Sequence, residues 1–591
     1  MSTEAHADGG HHQYGFFRNC VWSTNHKVIG KQFLWSSFFF LFLAGLLALC
    51  LRWNLAHPNV PVPFVGKLLF GGNGAVTPDM FIVLTSMHGT IMIFFVIIPI
   101  LVGAFGNFLI PLHVGTHDMA FPVLNAASYW VFWVGGILIV IAQFIGFREA
   151  AQGAAAGWTA YAPLSVIGGK GMTFWLLAMI CVGTSSILGA VNYITTIAKM
   201  RAPGLGWMRL PLTTWAQFIT AILQLIATPV LASALTMLTF ERLLGMNFFT
   251  PGGLFESGDP TKPLMHSGGV VLLWQHIFWF YSHPAVYILV LPAMGMASDL
   301  LSVGARKPIF GYRAMVYSIA AIAGLGFIVW AHHMFMSGMN PYLGMAFMVS
   351  TMLIALPSSI KVFNWLGTLW RGQIRFDTPT LNAISFVAMF VIGGLSGIFM
   401  AATPVDIQIH DTYFIVAHFH YVVFGGSLFA CFGAIAYWFP KMFGTMMSEG
   451  LGKLHWFLTF VFFNATFFPM HITGLWGMTR RYADYTYVAQ SMDEVQGLNR
   501  MITYSAICLG FSQLVFLFNF CWSIWKGKKA EANPWNANTL EWTIPSPAPE
   551  HNYHGVPTVN HGPYEYGAAR DDKDWTAQTE PEGASPAPSG H

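Results

Sequence analysis

The chain runs to 591 residues, 55% of them hydrophobic and only 9% charged, with a mean hydropathy of +0.55. Soluble domains carry about 25% charged residues, so a soluble globular fold is excluded and an integral membrane protein is indicated. The net charge of +3 is too small to mark a nucleic-acid partner, and the scattered cysteines form no close pair of the kind that disulfides or thiolate metal sites need.

The first thirty residues are polar and show no small-residue cleavage site beside a short apolar core, so 1–30 reads as a cytoplasmic segment and not a removable signal peptide. Apolar stretches of about twenty residues then begin near Gln32, Met80, Leu124, Met172, Leu212, Val270, Ile309, Tyr342, Thr380, Tyr413, Leu454 and Ile502. The bilayer admits only helices or closed barrels, and runs of this length select helices. The expected fold is an all-α integral membrane protein, a bundle of about twelve transmembrane helices over 31–525. An even number of spans puts both ends on one side. Loops on that side hold most of the Lys and Arg, among them Lys199, Arg201, Arg306, Lys307, Arg371 and Lys526, which marks it as cytoplasmic. Beyond Trp525 the chain becomes polar and rich in Pro and Gly, and 526–591 reads as a solvated cytoplasmic tail, partly disordered past Val559. No internal repeat is visible, against a transporter built from duplicated halves.

Six histidines lie inside these apolar runs: His88 in the second, His283 in the sixth, His332 and His333 after the seventh begins, His418 and His420 in the tenth. An imidazole in hydrocarbon is costly and marks function by default; singly, each is equally well a core residue bonded to a carbonyl. His418 and His420 project about 200° apart on one helix, so that helix can serve two metal centres, with His88 completing one of them. Three imidazoles without thiolate, His283, His332 and His333, suit copper, with zinc or iron open on ligand type. Tyr287 stands four residues after His283 on the same face.

Two polar trails cross the apolar runs. One comprises Ser298, Ser358 and Lys361, the lysine being a lone cation that on position alone also fits snorkelling to the surface. The other begins at Asp118 and takes in Asn107, Asn125, Asn192, Ser185 and Ser186, each of which alone passes for a cap or turn residue. Arg480 and Arg481 suit carboxylates. His410 and Asp411, in a loop on the same outer side, suit a hard cation or a solvated turn.

All six histidines, Tyr287, Lys361, Asp118, His410 and Asp411 sit in the blocks WSTNHK, MHGTIMIFFVIIP, FGNFLIPLHVGTHDMAFP, SSILGAVNYITT, WQHIFWFYSHPAVYILVLP, VWAHHMF, IKVFNW, HDTYFIVAHFHYV and LEWTIPSP, as do Asn107, Asn192, Ser185 and Ser186. In these blocks, and in their order from about Ser23 to Val559, the chain resembles the haem-copper oxygen reductases, specifically the subunit I family of cytochrome c oxidases. The resemblance implies two haems of the A type, one copper and a magnesium or manganese ion. By it, His88 and His420 ligate the low-spin haem, His418 the high-spin haem, and His283, His332 and His333 the copper, with Tyr287 covalently linked to His283. Arg52 meets the low-spin haem formyl, Arg480 and Arg481 hold propionates near Trp158 and Asp406, and His410 with Asp411 binds the magnesium or manganese. Ser298, Ser358, Lys361 and Tyr287 match one proton channel and the Asp118 trail the other. The chain departs from the family twice. Asn54 stands where an acidic residue often forms an outer calcium or sodium site. Ala285 replaces the glutamate of G-H-P-E-V-Y, so Tyr281 and Ser282 are expected to take over its relay.

The implied reaction is reduction of oxygen to water coupled to proton pumping in a bacterial inner membrane. Partners would be a dicopper-bearing subunit II, subunit III, cytochrome c and membrane lipid, with no nucleic acid. Quinol oxidases share the architecture, but the residues just before His88 offer Met80 and Val83 where those relatives bind quinol with polar side chains. Nitric oxide reductases lack the equivalents of Tyr287 and Lys361. A solute transporter would match hydropathy alone, with no use for the histidines.

Overall fold

The computed structural model describes residues 17–252, 268–485, 492–570 and 573–581; the first sixteen residues of the expected polar N-terminal segment lie outside the described residues. The helices that matter to the site are α1 (His26–Ala56), α2 (Pro78–Val114), α3 (Pro122–Arg148), α4 (Lys170–Lys199), α5 (Leu212–Leu244), α6 (Val271–Ala305), α7 (Tyr312–Leu325), α8 (Pro341–Leu369), α9 (Thr378–Ala401), α10 (Tyr413–Phe443), α11 (Glu449–Leu475) and α12 (Glu494–Lys526). Among the described residues eleven are long and apolar enough to span a membrane. The seventh expected span is the short α7, which continues through the 3-10 turn Trp330–Met334.

Local chemistry sets the ends. Asn25, Thr77, Asp377 and Thr412 accept hydrogen bonds from the first turns of α1, α2, α9 and α10, satisfying amides that an unpaired helix start leaves open. Gly115 closes α2 in the left-handed region at φ +78, which only glycine enters without strain.

Three helices form the interior. Their most apolar stretches are 89% (α2), 83% (α6) and 83% (α10) buried, against 17% for α8. The rest are half-exposed because they face lipid. Both α2 and α10 carry π-helical stretches, Met92–Ile97 and Pro99–Ala104 in one and Tyr421–Leu428 in the other, just beyond His88 and His420. Such bulges break the i→i+4 ladder and concentrate at functional sites.

The C-terminal segment corrects one expectation. Past Val559 the described chain is packed and folded: Tyr564, Tyr566, Thr576 and Gln578 are buried, and β1 (Tyr566–Arg570) pairs antiparallel with β2 (Lys573–Trp575). Its aromatic residues are few and the alternation of Tyr564 and Tyr566 is too short to mark a strand, so composition made the segment look solvated. Tyr564 and Tyr566 find partners at helix ends, Tyr564 at Asp299 and the Leu212 amide and Tyr566 beneath Arg306. Arg306, at the end of α6, bonds Asp574 through Nη2 at 2.6 Å and Nε at 2.8 Å.

Candidate metal centre

The turn after α7 brings His332 and His333 against α6. His333 Nε2 lies 3.1 Å from both His283 Nδ1 and His332 Nε2, and the three donor atoms all fall within 4.8 Å of one another. Three nitrogens bound at about 2.0 Å to one metal would stand roughly 3.3–3.5 Å apart, so the spacing suits a single ion. Trp279, one turn before His283, stacks on His333 at 3.7 Å and 10°, and Thr351 Oγ1 lies 3.0 Å from His332 Nδ1. These contacts orient the rings from behind, as outer partners of metal-binding imidazoles do. His283 Nε2 is buried with no partner among the described residues, and Tyr287 lies beside that ring with centroids 4.7 Å apart.

The other three histidines share one device. Each Nδ1 lies within hydrogen-bond distance of a backbone carbonyl: His88 of Ala44 (2.9 Å), His418 of Gly393 (2.8 Å) and His420 of Val416 (2.8 Å). A carbonyl accepts only from N–H, which leaves Nε2 as the unprotonated nitrogen, the one open to a metal. Phe467 stacks on His420 at 4.1 Å. Gly397 leaves room for His418, since a Cβ there would fall 2.8 Å from its Cε1.

All six histidines line one cavity of about 1450 Å³, together with Tyr287 and Ser358. Arg52, Trp158, Asp406, His410, Asp411, Arg480 and Arg481 line it too. Arg52 bonds Asn499 Oδ1 at 2.8 Å, but among the described residues its Nε and Nη1 have no partner although the residue is only 8% exposed. Arg480 holds Asp411 (2.6 Å), and Asp406 holds His410 (2.8 Å). Burial favours the neutral Asp411 acid, yet the charges of Arg480 and Arg481 keep its carboxyl below the usual range. His410 Nε2 and Asp411 Oδ2 are 3.9 Å apart. Among the described residues the His283–His332–His333 group is the one set of three or more ligating side chains so assembled.

The first polar trail is assembled by a residue that sequence reasoning missed. Trp365 donates to Ser298 Oγ at 2.8 Å and lies 5.8 Å from Lys361 Nζ. Lys361 is fully buried and one turn from Ser358, hence next to the cavity. Of the second trail, Asn107, Ser185 and Ser186 line a separate cavity of about 40 Å³. Asn192 instead clamps Phe121 through its N–H and C=O, Asn125 is buried without side-chain partners, and Asp118 bonds the Met119 amide. Burial pushes the Asp118 carboxyl above its ordinary value. Tyr281 and Ser282 are buried on α6 and line neither cavity.

Comparison with known proteins follows the same lines. The family described as cytochrome c and quinol oxidase polypeptide I matches over residues 28–508. The chain belongs to this family. This oxidase polypeptide I is 48% identical to cytochrome c oxidase subunit 1 of Synechocystis over 567 residues, 95% of each chain. It is 44% identical to the Thermostichus vulcanus subunit, over 94% of each. It is 40% identical to an alternative cytochrome c oxidase subunit 1 of Bradyrhizobium diazoefficiens, over 97% of this chain and 94% of that one. A heme-copper terminal oxidase dimer solved by cryo-electron microscopy shares the fold, with a TM-score of 0.69 at 19% identity over 90% of this chain and 87% of its own. As a member of the family the oxidase polypeptide is a multi-pass membrane protein and the catalytic subunit of a haem-copper terminal oxidase, whose cofactors are haems and copper. Its own side chains fit those groups: three clustered imidazole nitrogens for copper, and three carbonyl-tied imidazoles around a large cavity for haem iron.

Proposed function

We propose that this chain is subunit I of a cytochrome c oxidase that reduces oxygen to water and couples the reaction to proton pumping. One observation carries the reading: six imidazoles from α2, α6, α10 and the turn after α7 converge on one cavity, with a phenol one turn from a copper-site histidine. When bound, the haems and copper supply the redox centres at which oxygen is reduced. His88 and His420 would hold the low-spin haem, His418 the high-spin haem, and His283, His332 and His333 the copper.

The chain's own groups have distinct tasks. Tyr287, beside the unpartnered His283 Nε2, is placed to give an electron and a proton together, and a His283–Tyr287 covalent bond would lock that geometry. Lys361, Ser298 and Ser358 carry protons toward it. Asp118 and the polar lining of the small cavity serve the second route, whose upper end passes through Tyr281 and Ser282 because Ala285 has no proton to give. A phenol with an ordinary pKa near 10 relays through hydrogen bonds without holding charge. Each charge moved against 100 mV costs about 2.3 kcal/mol, so defined routes are needed to prevent leakage.

Arg480 and Arg481 would hold propionates near Trp158 and Asp406. The unpartnered Arg52 donors suit a formyl oxygen, and the cavity's extension between α1 and α12, lined by Leu46, Leu49, Ile507 and Gly510, suits an apolar tail; both favour haem A. His410 and Asp411 offer a magnesium or manganese ion two ligands, leaving others to solvent or a partner. Met80 and Val83 are buried and apolar, which gives a quinol ring nothing to bind and favours cytochrome c, with electrons received through a dicopper subunit II. Subunit III, a bacterial inner membrane, cytoplasmic termini and the division into 1–30, 31–525 and 526–591 belong to the same reading. Purification with partners tests it. Haem and metal analysis should give two haems A and copper, and oxygen uptake should follow reduced cytochrome c; uptake with quinol alone would overturn the donor assignment.

A further inference from the structure

Helix α5 carries a row of oxygens of which only Gln224, in the small cavity, touches either proton trail. Thr213 Oγ1, Gln217 Oε1, Thr220 Oγ1, Gln224 Oε1 and Thr228 Oγ1 have no hydrogen-bond partner among the described residues, and each residue is at most 3% exposed. Their steps of four, three, four and four place them on one face, over about 22 Å of helix. Buried hydroxyls on a helix ordinarily donate to the carbonyl four residues back. Ser233, Thr236 and Thr239, further along the same helix, do so at 3.0, 2.8 and 2.7 Å. The five do not, and unpaired polar atoms at membrane depth are costly.

Both ends of the row meet polar groups. At the lower end the Thr213 amide lies 3.4 Å from Asp299 Oδ2, and His113 Nδ1 lies 2.9 Å from Thr214 Oγ1. The other His113 nitrogen is 3.3 Å from Glu541 Oε1, and Asp299 accepts the Tyr564 hydroxyl. His113, Asp299 and Glu541 are all buried, and Glu541 and Tyr564 come from the C-terminal segment beyond the family match. At the upper end Gln224 lines the small cavity with Asn107, Ser185 and Ser186. Asn107 Oδ1 also lacks a partner. That cavity, about 40 Å³, exceeds the roughly 10–15 Å³ that one water needs. Gln217 is oriented across the gap to α2, its Nε2 donating to Leu101 O at 2.7 Å.

We propose that the Thr213–Thr228 face of α5 holds a file of internal water connecting the His113–Asp299–Glu541 cluster to the small cavity, and that it gives proton uptake an intake besides Asp118. A row of acceptors and hydroxyls without mutual bonds is satisfied by a ligand with two donors and two acceptors, which water is. The proton-uptake part rests on the oxidase reading; the water file does not. Thr220, Gln224 and Thr228 are positioning residues in this scheme, since they touch water and no cofactor.

The test uses the purified holoenzyme with Thr220→Val, Gln224→Leu and, as the hydroxyl-keeping control, Thr220→Ser. Infrared O–D stretching bands of internal water should weaken in Thr220→Val and Gln224→Leu and persist in Thr220→Ser, with haem spectra unchanged. In an Asp118→Asn background, residual proton uptake should remain and fall roughly tenfold on adding Thr220→Val, as for one lost hydrogen bond. Unchanged water bands, or a Thr220→Val chain that is more heat-stable with the bands intact, would overturn the file. No residual uptake in Asp118→Asn, or residual uptake indifferent to Thr220→Val, would overturn the second intake. Should Gln224→Leu fail to assemble, Thr220→Val decides alone. An unmutated holoenzyme that consumes oxygen without taking up protons would sink the coupled-oxidase reading while leaving the water bands to judge the file.

Discussion

The Tyr287 ring stands edge-on to the His283 ring, 4.7 Å between centroids and 74° between planes, and the Nε2 of that imidazole has no hydrogen-bond partner among the described residues. A four-residue step along one helix places a phenol against an imidazole of the three-histidine cluster, where in the proposed reaction its electron and proton leave together. Replacing Tyr287 by Phe keeps the packing and removes the donor. Turnover should drop by roughly 10²–10⁴-fold, the range for losing a positioned proton donor, with copper and haem content unchanged. Peptide mass spectrometry of the unmutated protein should find the segment around His283–Tyr287 lighter by two hydrogens. Normal turnover in the Phe variant would remove Tyr287 from the chemistry.

Gly326 is what admits that phenol. A Cβ at Gly326 would fall 2.9 Å from Tyr287 Cδ2, whereas one at Gly324 meets nothing within 4 Å. Gly326→Ala should therefore displace the ring, cost about 1–3 kcal/mol of stability as overpacking does, and depress turnover. Gly324→Ala should do neither. Equal behaviour of the two variants in thermal unfolding and oxygen uptake would show that the close approach is unimportant.

Tyr281→Phe removes the hydroxyl expected to relay protons in place of a glutamate. Proton uptake after an oxygen pulse should slow severely, while both haem spectra stay as they are, because Tyr281 lines neither cavity. Uptake at the parent rate would show that the second route ends elsewhere.

The C-terminal hairpin should respond to pH through Asp574. Its hydrogen bonds from Arg306 hold the carboxyl below the usual range, so the folded pKa lies under the unfolded value of about 3.9. A depressed carboxyl stabilises fully above that unfolded value and loses its contribution as pH falls through the folded one. The hairpin should thus be protected at neutral pH and loosen only in acid, whereas Asp574→Asn should loosen it throughout. Hydrogen–deuterium exchange over 564–578 measures this. Protection in Asp574→Asn equal to the parent would place the anchor in the buried Tyr564 and Tyr566 alone.

Much of the architecture was legible because its causes are local. Twenty-residue apolar runs admit no structure but a helix in lipid, and most expected spans begin within about five residues of an observed helix start, while Gln32 lies six residues inside α1 and Ile502 eight inside α12. His418 and His420 on opposite faces, and His283 with Tyr287 on one, follow from helical pitch. The partners that tune them were less visible. Trp279 stands one turn before His283 and Trp365 one turn after Lys361, so both had a spacing signal; that Trp279 stacks on His333 and that Trp365 donates to Ser298 had none, because each of those contacts bridges two elements. The α5 row was passed over for the same reason that it matters. Thr and Gln at i, i+4 and i+7 read as ordinary buried polar residues until their lack of partners is seen.

Sequence by itself determined that this chain lies in a membrane, that it is a helical bundle, and that six imidazoles of metal-ligating type lie in or just after its second, sixth, seventh and tenth apolar runs, since hydropathy, helix pitch and ligand type act at short range along the chain. Only the tertiary structure decided which nitrogens face one another, which carbonyl takes each Nδ1 proton, and that the polar C-terminal segment folds back to supply Glu541, Tyr564 and Asp574. Those facts depend on distances between residues hundreds of positions apart, and no local pattern of side chains encodes them.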